Sequence, residues 1–226
     1  MGQGKSSLGK ILGIGCALLV VVIAIGAFMT KSFLESVVAD AAKPWTGATP
    51  LELPAPSGTK AEADELMKRV NAFFNALQAN KPAAPLELTG NEINLLFVYD
   101  PDLAGYSEKL RVSIEGEELS GTISLPLTNF ADIPLLSSIS DRYLNGTATF
   151  TVVIEQDDPK LFLKTLSVKG KALPDDLMES LTSSNILDDS EPNGSFDESF
   201  KEFFKRVKSV TVKDSKLVIE PQLRSK

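Results

Sequence analysis

The sequence predicts an α+β fold: an N-terminal transmembrane helix, then an antiparallel sheet packed against amphipathic helices. Three observations predict it. Ile11 to Met29 is an unbroken run of nineteen apolar or small residues, close to the roughly 20 that cross a bilayer as one helix. Two later stretches, from Ala63 and from Phe196, repeat apolar residues every three or four positions, which is the helical period. Between them, from Lys109 onward, the period falls to two, as in half-buried strands.

Charge flanking the apolar run sets its orientation. Lys5, Lys10 and the terminal amine precede it with no acid, whereas Lys31, Glu35, Asp40 and Lys43 follow it. Positive charge stays on the cytoplasmic side. Residues 1–10 are thus expected as a cytoplasmic tail, 11–29 as the membrane helix, and the remainder as an extracytoplasmic part. A cleaved signal peptide is the rival reading, with Val38-Ala39-Asp40-Ala41 as its site, but its apolar core would span only about 7–15 residues. Cys16, the one cysteine, lies inside the run as a small apolar residue and can form no disulfide within the chain. Gly4-Lys5-Ser6 lacks the first glycine of a phosphate-binding loop. Met1-Gly2 with Ser6 fits a myristoylation pattern that a chain with its own membrane span does not need.

Phe33, Leu34, Val37 and Val38 share one helical face and extend the membrane helix as a stalk to about Ala42. Pro44, Pro50, Pro54 and Pro56, with Gly47 and Gly58, make the rest of 30–58 a semi-extended linker. The domain proper is 59–221, and 222–226 is a tail. Thr59 and Glu62 form a T-x-x-E capping box ahead of Ala63, Leu66, Met67, Val70, Phe73, Phe74 and Leu77. The proline-flanked stretch 81–85 ends that helix. Thr89 and Glu92 form a second box, opening a short helix through Ile93, Leu95 and Leu96 to Val98, which Asp100-Pro101-Asp102 stops.

Leu110, Val112 and Ile114 alternate with Arg111, Ser113 and Glu115. After a turn at Gly116, Leu119, Gly121, Ile123 and Leu125 alternate with Ser120, Thr122 and Ser124, giving a hairpin with one apolar face. A loop at 126–139 leads to a long strand at 142–155. Leu144, Ala148, Phe150, Val152 and Ile154 face one way along it; Tyr143, Thr147, Thr149 and Thr151 face the other. Asp157-Asp158-Pro159 turns into a strand near 161–169. Pro174-Asp175-Asp176 starts a short helix with Leu177, Met178 and Leu181, and 182–195 is a polar stretch. Ser195 and Glu198 form a third capping box, behind which Phe196, Phe200, Phe203, Phe204 and Val207 share a face. A hairpin at 209–213 and 216–220, turning at Asp214-Ser215, closes the domain.

Two of the 23 cationic residues lie in the N-terminal tail, so the exported part holds 21 against 30 acids, a net charge of −9. Such a domain as a whole is a poor partner for nucleic acid or anionic headgroups. The chain has no histidine, which excludes Ser-His-Asp and Cys-His catalysis and makes an ordinary zinc site unexpected. Ser57-Gly58-Thr59-Lys60 matches S-x-x-K without the companion motifs. Asp100-Pro101-Asp102 with Gly105 would put Arg111 where a calcium loop needs a bidentate glutamate. The pairs Asp157-Asp158, Asp175-Asp176 and Asp188-Asp189 fit turns and helix starts. A glycosidase can be built on two carboxylates alone, but no pair is singled out. Asn145-Gly146-Thr147 and Asn193-Gly194-Ser195 match the glycosylation pattern, which matters only in a eukaryotic secretory pathway. The expectation is a non-enzymatic protein with no cofactor and no metal.

The phenylalanine stripe at 196–207 fits either a core-facing helix or one wall of an acyl-chain groove, since both ask for the same surface. An anchor precedes Leu88-Thr89-Gly90-Asn91-Glu92-Ile93-Asn94-Leu95-Leu96; amphipathic strands at 119–125 and 144–154 follow, then 161–171, the short helix from Pro174, and the closing segment 207–219. This order resembles the YpmS-like family of bacterial membrane-anchored proteins and, more distantly, the tubular lipid-binding (TULIP-type) domains. The resemblance implies a curved sheet wrapped about a long helix and an apolar groove. It implies binding or handling of a lipid or other apolar ligand on the outer face of a bacterial cell membrane. Phe73, Phe74, Phe150, Phe196, Phe200, Phe203 and Phe204 are the residues expected to contact that ligand. The alternative is a scaffold domain of an envelope assembly, with a filled core, a protein partner and no ligand. The expected partners are the bilayer, a lipid or an envelope protein, and not nucleic acid.

Overall fold

The computed structural model describes residues 46–101, 103–130, 141–155, 158–172 and 205–223. The run 11–29, the stalk, the helix expected from Pro174 and the helix carrying Phe196 to Phe204 lie outside them. Among the described residues no helix is long and apolar enough to cross a membrane. What is described is α+β, with two α-helices and an antiparallel sheet.

Both helices begin as their capping boxes dictate. At α1 (Lys60–Gln78) the Thr59 N–H donates to Glu62 Oε2 at 2.7 Å, and the Glu62 N–H donates back to Thr59 Oγ1. The buried stripe is Ala63, Leu66, Val70, Phe73, Phe74 and Leu77. Its C-terminus has no basic residue in the last turn; instead Arg206 Nη1, far along the chain, donates to Leu77 O and Gln78 O at 3.0 and 2.9 Å. A cation therefore meets the unpaired carbonyls at the negative end of the helix. At α2 (Gly90–Tyr99) the Thr89–Glu92 box is complete as well. This helix is buried on most sides through Ile93, Asn94, Leu95, Leu96 and Phe97, while Val98 is exposed.

The strands are β1 (Leu86–Thr89), β2 (Leu110–Glu115), β3 (Glu118–Pro126), β4 (Tyr143–Glu155), β5 (Asp158–Val168), β6 (Lys171–Ala172), β7 (Val207–Lys213) and β8 (Lys216–Pro221). The β4–β5 hairpin is the spine, with β5 paired along one edge of β4 and a register shift at Thr149/Phe150. The opposite edge of β4 takes β3 against residues 143–150 and β7 against Ile154 and Glu155. Hairpins β2–β3 and β7–β8 consequently lie end to end with their tips facing. The tips are joined: the Ser215 N–H donates to Gly116 O at 2.9 Å, and the Gly116 N–H donates to Ser215 Oγ at 2.9 Å. Asp214 and Ser215 both take positive φ (51° and 60°), which suits a two-residue hairpin turn.

One face of the sheet is apolar. Leu110, Val112, Ile114, Leu119, Ile123, Leu144, Ala148 and Phe150 join the buried stripes of both helices in a single core. The other face is polar, and there the register pairs Thr122 with Thr147 and Thr149 with Thr165, hydroxyl to hydroxyl at 3.2 and 2.9 Å.

Four details correct the sequence expectations. Strand β1 occupies a stretch expected only as a helix terminator and its approach, and it pairs with β8. Asp158 and Pro159 belong to β5, paired with Glu155 and Ile154, rather than to the turn. After a strand that ends at Val168, close to the expected end, the chain turns back at Lys169 and Gly170 (φ 54° and 72°) into β6, a short strand that the sequence does not predict. Val207 opens β7, fully buried, instead of extending the phenylalanine face of a helix.

Candidate functional site

Phe73, Phe74 and Phe150 all lie in the core, with only 5%, 5% and 2% of their surface accessible. The rings of Phe73 and Phe74 meet edge to face, with centroids 5.5 Å apart. Phe150 stands at the register shift of β4, across from Leu119 on β3 and Leu163 on β5. A side chain lining an open groove would present surface to water, and these three present almost none. Phe196, Phe200, Phe203 and Phe204 lie outside the described residues.

A second feature lies on the opposite, polar face. Residues 46–57 are extended, as the prolines require, but they do not run free. They form a strap that crosses β4, then β3, then β2, and ends at α2. Thr46 is fully buried: its hydroxyl accepts from Arg142 Nε and its carbonyl from Arg142 Nη2, both at 2.6 Å. Gly47 and Tyr143 exchange two backbone hydrogen bonds at 2.8 and 2.9 Å. Asn145 Nδ2 donates to Thr49 O at 3.0 Å, and the Leu51 N–H donates to Ser124 Oγ at 2.9 Å. Arg111 Nε donates to Pro54 O at 2.6 Å. Finally, the Ser57 N–H donates to Asn91 Oδ1 and Asn91 Nδ2 to Ser57 O, at 2.9 and 2.7 Å.

Under residues 51–56 the strap leaves a cleft of about 720 Å³. Its roof is Leu51, Glu52, Leu53, Pro54, Ala55 and Pro56; its floor includes Arg111, Val112, Ser113, Ile114 and Thr122; its end wall is the start of α2. The roof is thus mostly apolar, with Glu52 its one charged residue, and the floor is mixed. Neither the strap nor Arg111 was legible as part of a site. Arg111 reads simply as the polar partner in the alternation of β2.

The titratable groups here serve structure. Burial resists ionisation of Glu92, but the Thr89 N–H and Arg69 Nη2, the latter at 2.6 Å, outweigh it and hold the carboxyl below the ordinary value. A depressed folded value means stability that is present above the unfolded pKa of about 4.3 and lost as pH falls through the folded one. Glu92→Gln is therefore expected to be less stable than the parent at pH 7, with the gap closing towards pH 3. Urea midpoints across that range check it, and a pH-independent gap would refute it. Glu62, Glu87 and Glu220 are also lowered, by the Thr59 backbone N–H, Lys216 and Lys208 in turn. Among the described residues no group of three His, Cys, Asp or Glu side chains is placed to hold a metal.

No family model, curated protein or solved structure matches this chain. Its function is read from its own chemistry.

Proposed function

We propose that this chain is a non-enzymatic, single-pass membrane protein whose extracytoplasmic α+β domain binds a lipid or other apolar ligand. The observation that carries the reading is the strap cleft: a mostly apolar roof over a partly polar floor, in the first described segment after the stalk. An amphiphile needs such a pair of surfaces. The volume is within the usual range of small-ligand clefts, about 300–1,000 Å³. The curved-sheet architecture implied by the YpmS-like and tubular lipid-binding resemblance belongs to the same reading. The register shift at Thr149/Phe150 and the long helix α1 sharing the core with the sheet are consistent with it.

The packed state of Phe73, Phe74 and Phe150 favours a second reading, an envelope scaffold with a filled core and a protein partner. One experiment separates them. Cells expressing the full chain are fed a photoactivatable fatty acid, irradiated, and the protein's peptides are mapped by mass spectrometry. Adducts on peptides containing residues 51–56 or 111–114 are expected. Adducts confined to 11–29 would mean contact with the bilayer alone and would leave the scaffold reading.

A further inference from the structure

We propose that the strap cleft selects a singly charged acidic amphiphile, a carboxylate or phosphate diester on an apolar tail, and that Arg111 receives its head. This rests on the apolar-ligand reading and names the class of ligand. Arg111 lines the floor of the cleft and is only partly exposed. Nε is committed to Pro54 O, and Nη1 to Ser107 O and Leu110 O. Those three acceptors are backbone carbonyls, which fix the plane of the guanidinium without neutralising it. Nη2 makes no hydrogen bond, and no carboxylate pairs with the group among the described residues. Arg69, by contrast, holds Glu92 at 2.6 Å.

Burial alone weighs on the Arg111 charge, pulling its pKa down, with no acid to offset it. A half-buried cation without a counter-ion gains more from an arriving anion than an exposed one does, because its water is already stripped. The free Nη2 carries two N–H donors for the oxygens of an acid head. Above it, Leu51, Leu53 and Pro56 offer the apolar surface a tail needs. The limit to one charge has its own cause. Glu52 also lines the cleft, and the exported part carries a net −9, so one unpaired guanidinium can accommodate one negative charge and not two. Within a Debye length of about 8–10 Å the local cation outweighs that general repulsion.

The test is equilibrium dialysis of the full chain in nonionic detergent against octanoate, 1-octanol and inorganic phosphate, with empty micelles as reference. Octanoate is expected to bind at least about tenfold more tightly than 1-octanol. Arg111→Gln should bring octanoate down to the level of the alcohol while leaving 1-octanol unchanged. Should that variant fail to fold, Arg111→Lys, which keeps the charge but cannot keep the three backbone contacts that fix the guanidinium, should narrow the acid-to-alcohol ratio. Equal binding of acid and alcohol to the parent overturns the inference but leaves the apolar-ligand reading standing. Undiminished octanoate binding by Arg111→Gln removes Arg111 as the receptor. Inorganic phosphate binding as tightly as octanoate replaces the amphiphile with a free anion. Binding of none of the three overturns the inference and the reading beneath it.

Discussion

Asn94→Ala is expected to destabilise the domain by about 2–6 kcal/mol, since two buried polar groups lose their partner at about 1–3 kcal/mol each. Asn94 is buried on α2, and its amide grips the outward edge of β2: Nδ2 donates to Val112 O at 2.8 Å, and the Val112 N–H donates to Oδ1 at 2.9 Å. One side chain thus stands in for the missing strand, pairing both groups of a residue on a sheet edge. Urea unfolding with an unchanged slope is the measurement. A loss below about 0.5 kcal/mol would show that water replaces the amide without penalty. Asn94→Asp sharpens the point. Its carboxylate can accept from the Val112 N–H but opposes the Val112 carbonyl, whereas its protonated form can donate to that carbonyl. The folded pKa is then raised. The stability it contributes is complete below the unfolded value of about 3.9 and lost as pH rises through the folded one. This variant should be weakest near neutrality and recover in acid, the reverse of the trend expected for Glu92.

Gly90→Val is expected to cost about 3 kcal/mol, at the upper end for overpacking. A Cβ at Gly90 would sit 3.1 Å from both Ile114 N and Val112 O and 3.3 Å from Ser113 Cα. All three are backbone atoms of β2, which is paired on its far side with β3 and cannot retreat. Relief requires α2 to lift, and lifting it breaks the Asn94 grip. The double variant with Asn94→Ala should therefore lose less than the sum of the two. Full additivity in thermal or urea unfolding would mean that α2 and β2 respond independently.

Much of this fold is legible in the sequence because local signals and long-range needs agree. The Thr59 and Thr89 boxes sit where the helices begin, and Ala63 to Leu77 is the buried stripe because a period of 3.6 leaves no other face apolar. The alternation of Leu110 to Glu115 places Arg111 on the polar face, but not beneath anything. Strand β1 is hidden by its length: four residues, the last of them the Thr89 helix cap, carry too few periods to declare a strand. The strap is hidden for another reason. Proline and glycine report that 46–57 lacks regular structure, not whether it is docked. Its partners Arg142, Asn145, Ser124, Arg111 and Asn91 come from the residue before β4, from three strands and from a helix, at sequence separations no pattern records. Asn94 looks like any polar residue on a short helix until β2 is laid against it.

The strap also sets the length of the leash. A linker free as far as residue 58 would give 29 residues after Met29, a reach of up to about 100 Å fully extended. Because stitching begins at Thr46, only sixteen residues, 30–45, lie between the proposed anchor and the first fixed point, a reach of at most about 55 Å. With the proposed anchor in place, the domain would be confined to a shell about half as deep above the bilayer. Tension on the anchor would arrive first at Thr46 and peel the strap from β4 towards α2, one hydrogen bond at a time. A pull that lifts residues 51–56 would unroof the cleft while the sheet beneath it stayed whole.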